Sequence, residues 1–377
     1  MSKLGHATPT KSLKVKPRNI LVIAMPYLGD VLLATPLFSA LKTAYPDTKI
    51  DVLVFQNTAA MLEGNPDINT VITTPNRPSL KDNWLLVKKI FRRYDLAIAI
   101  QTGDRPFFYT LLAAPFRVNA VPPKTSKTGW KRFFVQRWTE FDNENTHTVL
   151  QHLKLLDLMK VPRYFALTPP QLTNNVALLE RFPFLKASTP FVLIHPFPQW
   201  TYKQWTLEGW VSVGRYLNKL GYIIVVSGGT GQEELNNIAC IVEQLPVDTI
   251  NLAGQVSLAE LTYIISKAKL FIGPDTGITH LAAATGIPVI ALFGPTNPVK
   301  WAPWPFNYQQ TNNPFDKVGT KTVNNVTLVQ GEAECVPCHL DGCDRHRGSR
   351  SACLDSIPVS KIKKLSLETI NGNKLII

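Results

Sequence analysis

The chain has 377 residues, of which 45% are hydrophobic and 10% aromatic, and its formal net charge is +13. This length favours two domains, and the hydrophobic content is ample for folded cores, which argues against a disordered chain. No uninterrupted apolar run reaches the roughly 18 residues that cross a bilayer, and no signal-peptide pattern is found, so we expect a cytoplasmic protein. The excess of positive charge indicates an acidic partner: nucleic acid, an anionic membrane surface or a phosphorylated substrate.

Apolar strands and helix-length segments alternate through the first half of the chain, after a basic tail at 1–17 that includes Lys3, Lys11, Lys14 and Lys16. The apolar runs predict strands at 19–25, 49–55, 95–100 and 116–121. One long helix is predicted from Gly29 to Tyr45, with Leu33, Leu37 and Leu41 on its apolar face. Continuous apolar strands joined by helices indicate a parallel sheet covered on both faces.

A second series of alternating elements follows the proline-rich region near residue 168. The predicted strands lie at 191–196, 222–229, 250–254, 270–273 and 287–294, and the predicted helices near 207–220, 233–244, 257–269 and 358–370. We therefore predict an α/β protein with two Rossmann-like αβα domains that face a cleft, with ligands at the carboxyl ends of the strands. The predicted domains are an N-terminal domain at 18–180, a C-terminal domain at 190–355, and a helix with a tail at 356–377.

The segment from Arg105 to Thr139 combines positive charge with aromatic side chains and contains no acidic residue. It contains Arg105, Arg117, Lys124, Lys127, Lys131, Arg132 and Arg137, interleaved with Phe107, Phe108, Tyr109, Phe116, Trp130, Phe133, Phe134 and Trp138. This composition suits the headgroup zone of a membrane or a phosphorylated glycolipid, and it also suits single-stranded nucleic acid. The alternative is a solvated loop combined with ordinary core aromatics.

Two strand-to-helix turns carry candidate catalytic side chains. Asp30 follows the first strand and could take a proton from an attacking hydroxyl, although an aspartate at a helix start is also a common N-cap. Lys203 follows the strand at 191–196, where a lysine can neutralise a diphosphate leaving group as its charge develops. The alternative of an ordinary surface lysine is weakened because the first turns of helices favour acidic residues.

The stretch "SGGTGQEE" (227–234) is a glycine-rich turn between a strand and a helix. It lacks the Gly-Lys-Ser/Thr of a P-loop and does not match GxGxxG, so it indicates no nucleotide site by itself. Glu233 or Glu234 could accept hydrogen bonds from ribose hydroxyls, or either could simply favour the helix dipole.

The stretch "GPDTGITH" (273–280) is the strongest signal, because it opens a short helix whose N-terminus would attract an anion. Gly277 permits close backbone approach, Thr276 can cap the helix or bind a phosphate oxygen, and His280 lies on the same helical face. The carboxylate of Asp275 is out of place beside a phosphate unless it faces another part of the ligand. Pro-Asp-x-Gly is also ordinary turn chemistry, and a lone histidine is often structural.

Four cysteines lie close together near the C-terminus. The spacing Cys335-x2-Cys338-x4-Cys343-x9-Cys353, with His339 and His346 nearby, has the density of a metal site. Stable disulfides are disfavoured in a cytoplasmic protein, so the alternatives are a structural ion or unreactive thiols in an ordered loop. Cys240, which lies in a predicted helix, is expected in the core.

The motifs of this chain, taken together, resemble those of a known family. "GPDTGITHLAAATGIPVIALFGPTNPVKWAPW" closely resembles the donor-site signature of the lipopolysaccharide heptosyltransferases, glycosyltransferase family 9. "GDVLLATPLFSALKTAYPDTKIDVLVF" resembles the N-terminal signature of the same family, and the "HP…K.W" and "LAG…SLAEL" segments fall between the two in the expected order. The resemblance spans roughly residues 18 to 360, and the late "PCHLDGCDRHRGSRSACL" is nearest to the heptosyltransferase III branch.

The resemblance implies a GT-B glycosyltransferase that moves heptose, with inversion and without a cofactor or catalytic metal, from ADP-L-glycero-β-D-manno-heptose to an inner-core heptose. It implies that Asp30 is the general base and that Lys203 binds the diphosphate. The implied donor-binding residues are Glu233, Leu252, Ala253, Gly254, Asp275, Thr276, Gly277 and His280. The family often has hydroxyl residues shortly before the lysine, whereas this chain has Pro198, Gln199 and Trp200.

We assign acceptor binding to Gly29, Arg105, Lys131 and Arg132. The expected partners are the lipopolysaccharide inner core, the nucleotide sugar and the anionic cytoplasmic face of the inner membrane, and no nucleic acid. Two alternatives remain at this point: a related GT-B transferase with another nucleotide sugar, and a non-catalytic protein that binds anionic glycolipid or nucleic acid.

Overall fold

The computed structural model describes residues 5–6, 16–25 and 27–372, and it divides the chain into two compact units, Met1–Pro170 and Gln171–Ile377. The predicted N-terminal domain extends ten residues further, to 180, whereas the helix Val176–Arg181 belongs to the second unit. Most of the predicted basic tail, including Lys3, Lys11 and Lys14, lies outside the described residues, and so do residues 373–377.

The first unit contains seven strands and five α-helices among its described residues. The strands are β1 (Gly5–His6), β2 (Asn19–Ile23), β3 (Lys49–Phe55), β4 (Thr70–Thr74), β5 (Leu96–Ala99), β6 (Phe116–Val121) and β7 (Arg137–Glu140). The helices are α1 (Leu28–Leu33), α2 (Thr35–Ala44), α3 (Leu80–Ile90), α4 (Asp104–Ala113) and α5 (Thr148–Asp157). Two 3₁₀ segments, Gln56–Leu62 and Gly129–Phe134, complete the regular structure.

The first sheet has the strand order β1-β7-β6-β5-β2-β3-β4, and every pair is parallel except β1 with β7. The chain runs from β2 outward to β4 and then returns to β5 on the other side of β2. The strand order therefore reverses between β2 and β5, and the crevice at such a reversal is where open α/β sheets bind ligands.

The single helix predicted from Gly29 to Tyr45 is two helices in the structure, because Ala34 ends the first helix and caps the second. Pro36 occupies the first turn of α2, where its missing N–H costs nothing, but in a continuous helix it would remove a hydrogen bond. The predicted apolar face is present, since Leu33, Leu37 and Leu41 are all buried.

The second unit also has a seven-stranded, mainly parallel sheet with helices. Its strands are β8 (Phe191–Ile194), β9 (Ile223–Val226), β10 (Ile250–Asn251), β11 (Leu270–Pro274), β12 (Val289–Phe293), β13 (Lys321–Val323) and β14 (Val326–Gln330). Its helices are α6 (Val176–Arg181), α7 (Leu207–Lys219), α8 (Gln232–Val242), α9 (Leu258–Lys267), α10 (Gly277–Ala284), α11 (Pro298–Trp301), α12 (Ala352–Asp355) and α13 (Val359–Gly372). The 3₁₀ segments are Pro183–Lys186 and Thr201–Lys203.

The second sheet has the order β10-β9-β8-β11-β12-β14-β13, and only the β13–β14 pair is antiparallel. Its strand order reverses between β8 and β11. A core cluster joins β8 and β11 to α7 and α13, with the Trp205 and Trp210 rings packed edge to face 5.2 Å apart. The predicted C-terminal helix thus packs on α7 as part of this unit.

Two further observations concern the predictions for Cys240 and for membrane-crossing segments. Cys240 lies in α8 as expected, but it is exposed rather than in the core, because α8 buries Ile238 and Ile241 on its inner face. No helix among the described residues is both long and apolar enough to cross a membrane.

Candidate active site

A pair of opposite charges lies where the second sheet reverses its strand order. Lys203 ends the 3₁₀ segment that follows β8, and Asp275 follows β11 directly. The Lys203 Nζ and Asp275 Oδ2 atoms are 2.7 Å apart, with side-chain exposures of 21% and 7%. The structure therefore brings together two predicted site residues that are 72 positions apart in sequence, at the carboxyl ends of neighbouring strands.

The helix α10 begins immediately after Asp275. Thr276 is its N-cap, and the Thr276 Oγ1 atom accepts a hydrogen bond from the Thr279 N–H at 3.2 Å. The hydroxyl of Thr276 thus has the capping role that the sequence suggested, and the Thr276 carbonyl accepts from the N–H groups of Thr279 and His280. The N–H groups of Gly277 and Ile278 precede the first possible carbonyl acceptor of the helix. Such a helix start favours an anion beside it.

His280 lies in the same helix and is 95% buried. Burial lowers the pKa of His280 to about 4, with the neighbouring Lys203 acting in the same direction and Asp275 opposing it. The imidazole is therefore neutral at pH 7. Its Nδ1 atom is buried and has no hydrogen-bond partner among the described residues. His280 can consequently offer a ligand a hydrogen bond but no charge.

The glycine-rich turn after β9 is closed by one of the two candidate glutamates. The Glu234 Oε1 atom accepts a hydrogen bond from the Gly229 N–H at 2.8 Å. A Cβ atom on Gly228 would lie 2.0 Å from the Ile238 Cδ1 atom, so a side chain there would displace the Ile238 side chain. Glu233 is exposed at the start of α8, which leaves its carboxylate accessible for the predicted ribose contact.

The turn after β10 lies against the glycine-rich turn, since the Gly254 N–H donates to the Gly228 carbonyl at 3.1 Å. Leu252 is fully buried and Ala253 is 6% exposed, whereas Gly254 is exposed. Of these three predicted donor-binding residues, Gly254 is therefore exposed on the turn, whereas Leu252 and Ala253 are buried.

A polar pair beside this site is absent from the sequence predictions. His195 follows β8, and its Nδ1 atom lies 3.1 Å from the Ser227 Oγ atom at the end of β9. Burial lowers the pKa of His195 to about 4, so this pair is a neutral hydrogen bond that ties two strand ends together. Only the adjacency of β8 and β9, which the strand order supplies, could have indicated the contact.

In the first unit, Asp30 lies at the corresponding position of the sheet, after β2 at the strand reversal. It is the third residue of α1 and is 7% exposed, and Gly29 precedes it in the helix. The N-cap of α1 is Tyr27, so Asp30 does not cap the helix as the alternative interpretation supposed. Its carboxylate thus lies in the first turn of α1, at the edge where open α/β sheets bind ligands.

Arg105 lies at the same edge, after the neighbouring strand β5. Its Nη2 atom donates to the Asn76 carbonyl at 2.8 Å, and its guanidinium lies 5.7 Å from the centre of the Phe55 ring. The Nη1 atom is buried and has no hydrogen-bond partner among the described residues. Arg105 therefore retains donor capacity for an anionic group.

Lys131 and Arg132, the other predicted acceptor residues, are buried and their charges are compensated within the unit. The Lys131 Nζ atom contacts an Asp104 carboxylate oxygen at 2.6 Å and donates to the Thr102 carbonyl at 2.8 Å. Arg132 contacts Glu140 at 3.2 Å and donates to the carbonyls of Gly129 and Pro122, at 2.7 and 3.1 Å. These contacts give both residues a structural role, so among the three basic residues the geometry favours Arg105 for acceptor binding.

The basic and aromatic segment is not the open loop of the alternative prediction, because it forms β6, a 3₁₀ turn and β7. It nevertheless exposes an aromatic patch, which we define as Phe108, Trp130, Phe133 and Phe134, with exposures of 51%, 44%, 79% and 51%. The rings of Phe108, Trp130 and Phe134 pack edge to face on the buried Phe107. Lys124 and Lys127 are exposed in the preceding turn.

The four clustered cysteines and Cys240 are free thiols. Among the described residues, no group of three or more His, Cys, Asp or Glu side chains is arranged to hold a metal ion. Burial raises the pKa of the Cys353 thiol to about 11, with the nearby Cys338, Cys335 and Cys343 adding to the effect. Cys353 is therefore a protonated thiol at neutral pH.

Two doubly wound parallel sheets, each with candidate ligand residues at its strand reversal, define the α/β class that includes the GT-B glycosyltransferases. The sequence model of "Glycosyltransferase family 9 (heptosyltransferase)" matches residues 85–327. The chain is 31% identical over 298 residues to lipopolysaccharide heptosyltransferase 3 of Escherichia coli (strain K12), covering 76% of this chain and 85% of that protein.

Solved structures agree at the level of the fold. A glycosyl transferase family 9 protein from Veillonella parvula DSM 2008 superimposes with a TM-score of 0.75 at 20% identity, covering 94% of this chain and 97% of that one. The E. coli heptosyltransferase WaaC with ADP-2-deoxy-2-fluoro heptose gives a TM-score of 0.67 at 17% identity, with coverages of 93% and 99%. The chain belongs to glycosyltransferase family 9 and is a glycosyltransferase, which confirms the predicted family and the GT-B fold.

Proposed function

We propose that the chain transfers L-glycero-D-manno-heptose from ADP-heptose to a heptose of the lipopolysaccharide inner core, with inversion at the anomeric carbon. The family membership and the 31% identity to a lipopolysaccharide heptosyltransferase 3 support the reaction class and the acceptor. The ADP-heptose donor is supported by the E. coli heptosyltransferase WaaC, because that relative was solved with a fluorinated ADP-heptose.

The observation that carries the proposal is the arrangement around Asp275. A cation, a carboxylate and a neutral histidine with an unpartnered Nδ1 atom lie beside a helix N-terminus, at the strand reversal of one sheet. The cation and the helix start suit a diphosphate, whereas the carboxylate suits the hydroxyls of a sugar. A nucleotide sugar presents both kinds of group next to each other, so one ligand satisfies the whole arrangement.

The chemistry requires a single displacement. The acceptor hydroxyl oxygen attacks the anomeric carbon of the donor, and the bond from that carbon to the diphosphate oxygen breaks with both electrons remaining on ADP. Asp30 takes the hydroxyl proton as the new bond forms. Lys203 and the first N–H groups of α10 stabilise the charge that develops on the departing diphosphate.

The acceptor is assigned to the first unit. Arg105, with its unpartnered Nη1 atom, would bind a phosphate or carboxylate of the inner core, and Gly29, which precedes Asp30 and has no side chain, would let the sugar approach. Lys131 and Arg132 would act indirectly, because they hold the backbone at Thr102 and Gly129 on the same side of the unit.

A donor and acceptor panel tests the proposed function. We expect efficient transfer only from ADP-heptose to a heptose-bearing core, with kcat/KM on the order of 10²-fold above that for UDP- and GDP-sugars. The measurement is mass spectrometry of truncated cores incubated with the full chain and each donor. Efficient transfer from a UDP- or GDP-sugar would replace the donor assignment, and binding of glycolipid without transfer from any donor would indicate a non-catalytic protein.

We also propose that the aromatic patch docks on an anionic membrane surface. Four exposed aromatic rings adjoin Lys124 and Lys127, and rings with nearby lysines suit the headgroup zone, where each cation near the surface contributes about 1 kcal/mol. The rings of Phe108, Trp130 and Phe134 each contact the Phe107 ring edge to face, so these three form one apolar surface rather than separate stacking platforms, and Phe133 is exposed next to Phe134 in the sequence. This geometry favours lipid over single-stranded nucleic acid.

Phe133→Ser should therefore weaken vesicle binding. Because Phe133 is 79% exposed, the change should leave the fold intact and reduce partitioning onto phosphatidylglycerol vesicles by about tenfold. Co-sedimentation measures the partitioning, and Tyr164→Ser, an aromatic 45% exposed outside the patch, is the matched control. Equal partitioning of both variants and wild type would contradict the proposal, as would preferential binding to single-stranded nucleic acid.

A further inference from the structure

The segment that carries the clustered cysteines folds back onto the turn that carries Lys203. The Thr201 N–H donates to the Arg347 carbonyl at 3.1 Å, and the Ser351 Oγ atom donates to the Tyr202 carbonyl at 2.7 Å. Ser351 is only 2% exposed, so its hydrogen bond is shielded from water. The two residues immediately before Lys203 are thus held by residues almost 150 positions later in the sequence.

Side chains reinforce this contact. The Arg347 guanidinium lies 4.3 Å from the centre of the Trp200 ring, and its Nε atom is 3.9 Å from an Asp341 carboxylate oxygen. Burial raises the pKa of Tyr202, Lys203 opposes this effect, and the negative charges of Asp341 and Asp275 add to it. Both aromatic residues of the turn are therefore fixed from residues 341–351, which we call the support loop.

The support loop has an internal structure of its own. The Cys343 N–H donates to the Arg350 carbonyl at 3.0 Å, and the Cys343 Sγ atom accepts from the Ala352 N–H at 3.4 Å. Gly342 has a φ of +89°, and a Cβ there would lie 2.7 Å from Ser349, so the loop closes tightly on itself. A loop fixed in this way can act as a rigid support.

These contacts bear on the donor site because the turn that they hold carries Lys203. Lys203 is the last residue of this turn, so the backbone of the turn determines the point from which its side chain reaches Asp275. The Lys203 ammonium lies 2.7 Å from Asp275 in the donor site. A shift of the turn by a fraction of an ångström would therefore move the cation relative to both Asp275 and the donor diphosphate.

We propose that Ser351 and Arg347 are positioning residues for Lys203, and that the support loop thereby sets the affinity for the donor diphosphate. The inference rests on the proposed function, because it takes Lys203 as the diphosphate ligand. It gives the cysteine-bearing segment a role in donor binding that the pattern of cysteines alone did not suggest.

The test compares ADP binding by calorimetry in three serine variants of the full chain. We expect Ser351→Ala to weaken ADP binding by about three- to tenfold, the range for one lost buried hydrogen bond, with acceptor KM unchanged. Ser351→Thr keeps the hydroxyl and should restore most of the affinity. Ser356→Ala is the control, since the Ser356 Oγ atom donates to the Cys353 carbonyl and not to the Lys203 turn.

A double-mutant cycle separates positioning from a general structural effect. If Ser351 acts through Lys203, Ser351→Ala should cause no further loss of ADP affinity in a Lys203→Met background. The same factor of loss in both backgrounds would overturn the proposal. Arg347→Ala provides a second variant in case Ser351→Ala does not fold, because the Arg347 side chain is 57% exposed and its removal should weaken ADP binding about two- to fivefold.

The outcomes distinguish this inference from the proposed function. Wild-type protein that binds neither ADP nor ADP-heptose would overturn the proposed function itself. Wild-type protein that binds ADP, together with Ser351→Ala and Arg347→Ala variants that bind it equally well, would overturn only the positioning role.

Discussion

Replacement of Asp30 by asparagine is expected to reduce heptose transfer by about 10²- to 10⁴-fold while leaving ADP affinity unchanged. General base catalysis contributes a factor of this size, and asparagine has nearly the same shape but cannot accept the proton. Asp30 lies in the first unit, whereas the residues assigned to ADP lie in the second, so donor binding should not respond. Single-turnover transfer rates and calorimetry with ADP measure the two quantities separately.

A structural role for Asp30 would give a different result. An acidic residue in the first turn of α1 interacts favourably with the helix dipole, and its loss costs about 0.3–1 kcal/mol of stability. That cost would lower the melting temperature slightly but could not remove activity from a folded protein. Asp47→Asn, at an exposed aspartate of the same unit, controls for the loss of a negative charge. Near-normal transfer by folded Asp30→Asn would eliminate Asp30 as the base.

The regular part of the fold was predictable because buried parallel strands are continuous apolar runs. The predicted strands at 49–55 and 116–121 have the same bounds as β3 and β6. The alternation of these runs with helices predicts two doubly wound sheets, and the carboxyl ends of their strands then place Asp30 and Asp275 at ligand-binding edges. The family resemblance supplied the roles, but the positions follow from the pattern.

Long-range pairing was not predictable from a local pattern. From the sequence, Lys131 is expected to be a free cation in a basic segment, but in the structure it is buried and paired with Asp104, which is 27 residues earlier. The cysteine spacing from Cys335 to Cys353 indicates a possible metal site because it is visible in the sequence, whereas the hydrogen bond from Ser351 to Tyr202 is not. Cys240 was placed in the core from residue type alone, and the helical phase of α8 overrides that preference.

The question that the sequence raised about Asp275 has a physical answer in the structure. A carboxylate beside a helix N-terminus and a phosphate site would be repelled by the phosphate, but Asp275 is paired with Lys203 at 2.7 Å. In the proposed donor complex the diphosphate would compete with Asp275 for the same lysine. The two members of the pair should therefore affect ADP affinity in opposite directions.

Lys203→Met is expected to weaken ADP binding and to lower kcat/KM by about 10²- to 10³-fold, because it removes the cation that stabilises the leaving diphosphate. Asp275→Asn should keep ADP affinity at the wild-type level or raise it, since Lys203 is released and a negative charge next to the phosphate is lost. The same variant should lose about 10- to 100-fold in affinity for ADP-heptose relative to ADP, because sugar hydroxyls lose a charged acceptor. Calorimetry with both ligands measures the difference, and equal losses for ADP and ADP-heptose in Asp275→Asn would show that Asp275 supports the lysine instead of binding the sugar.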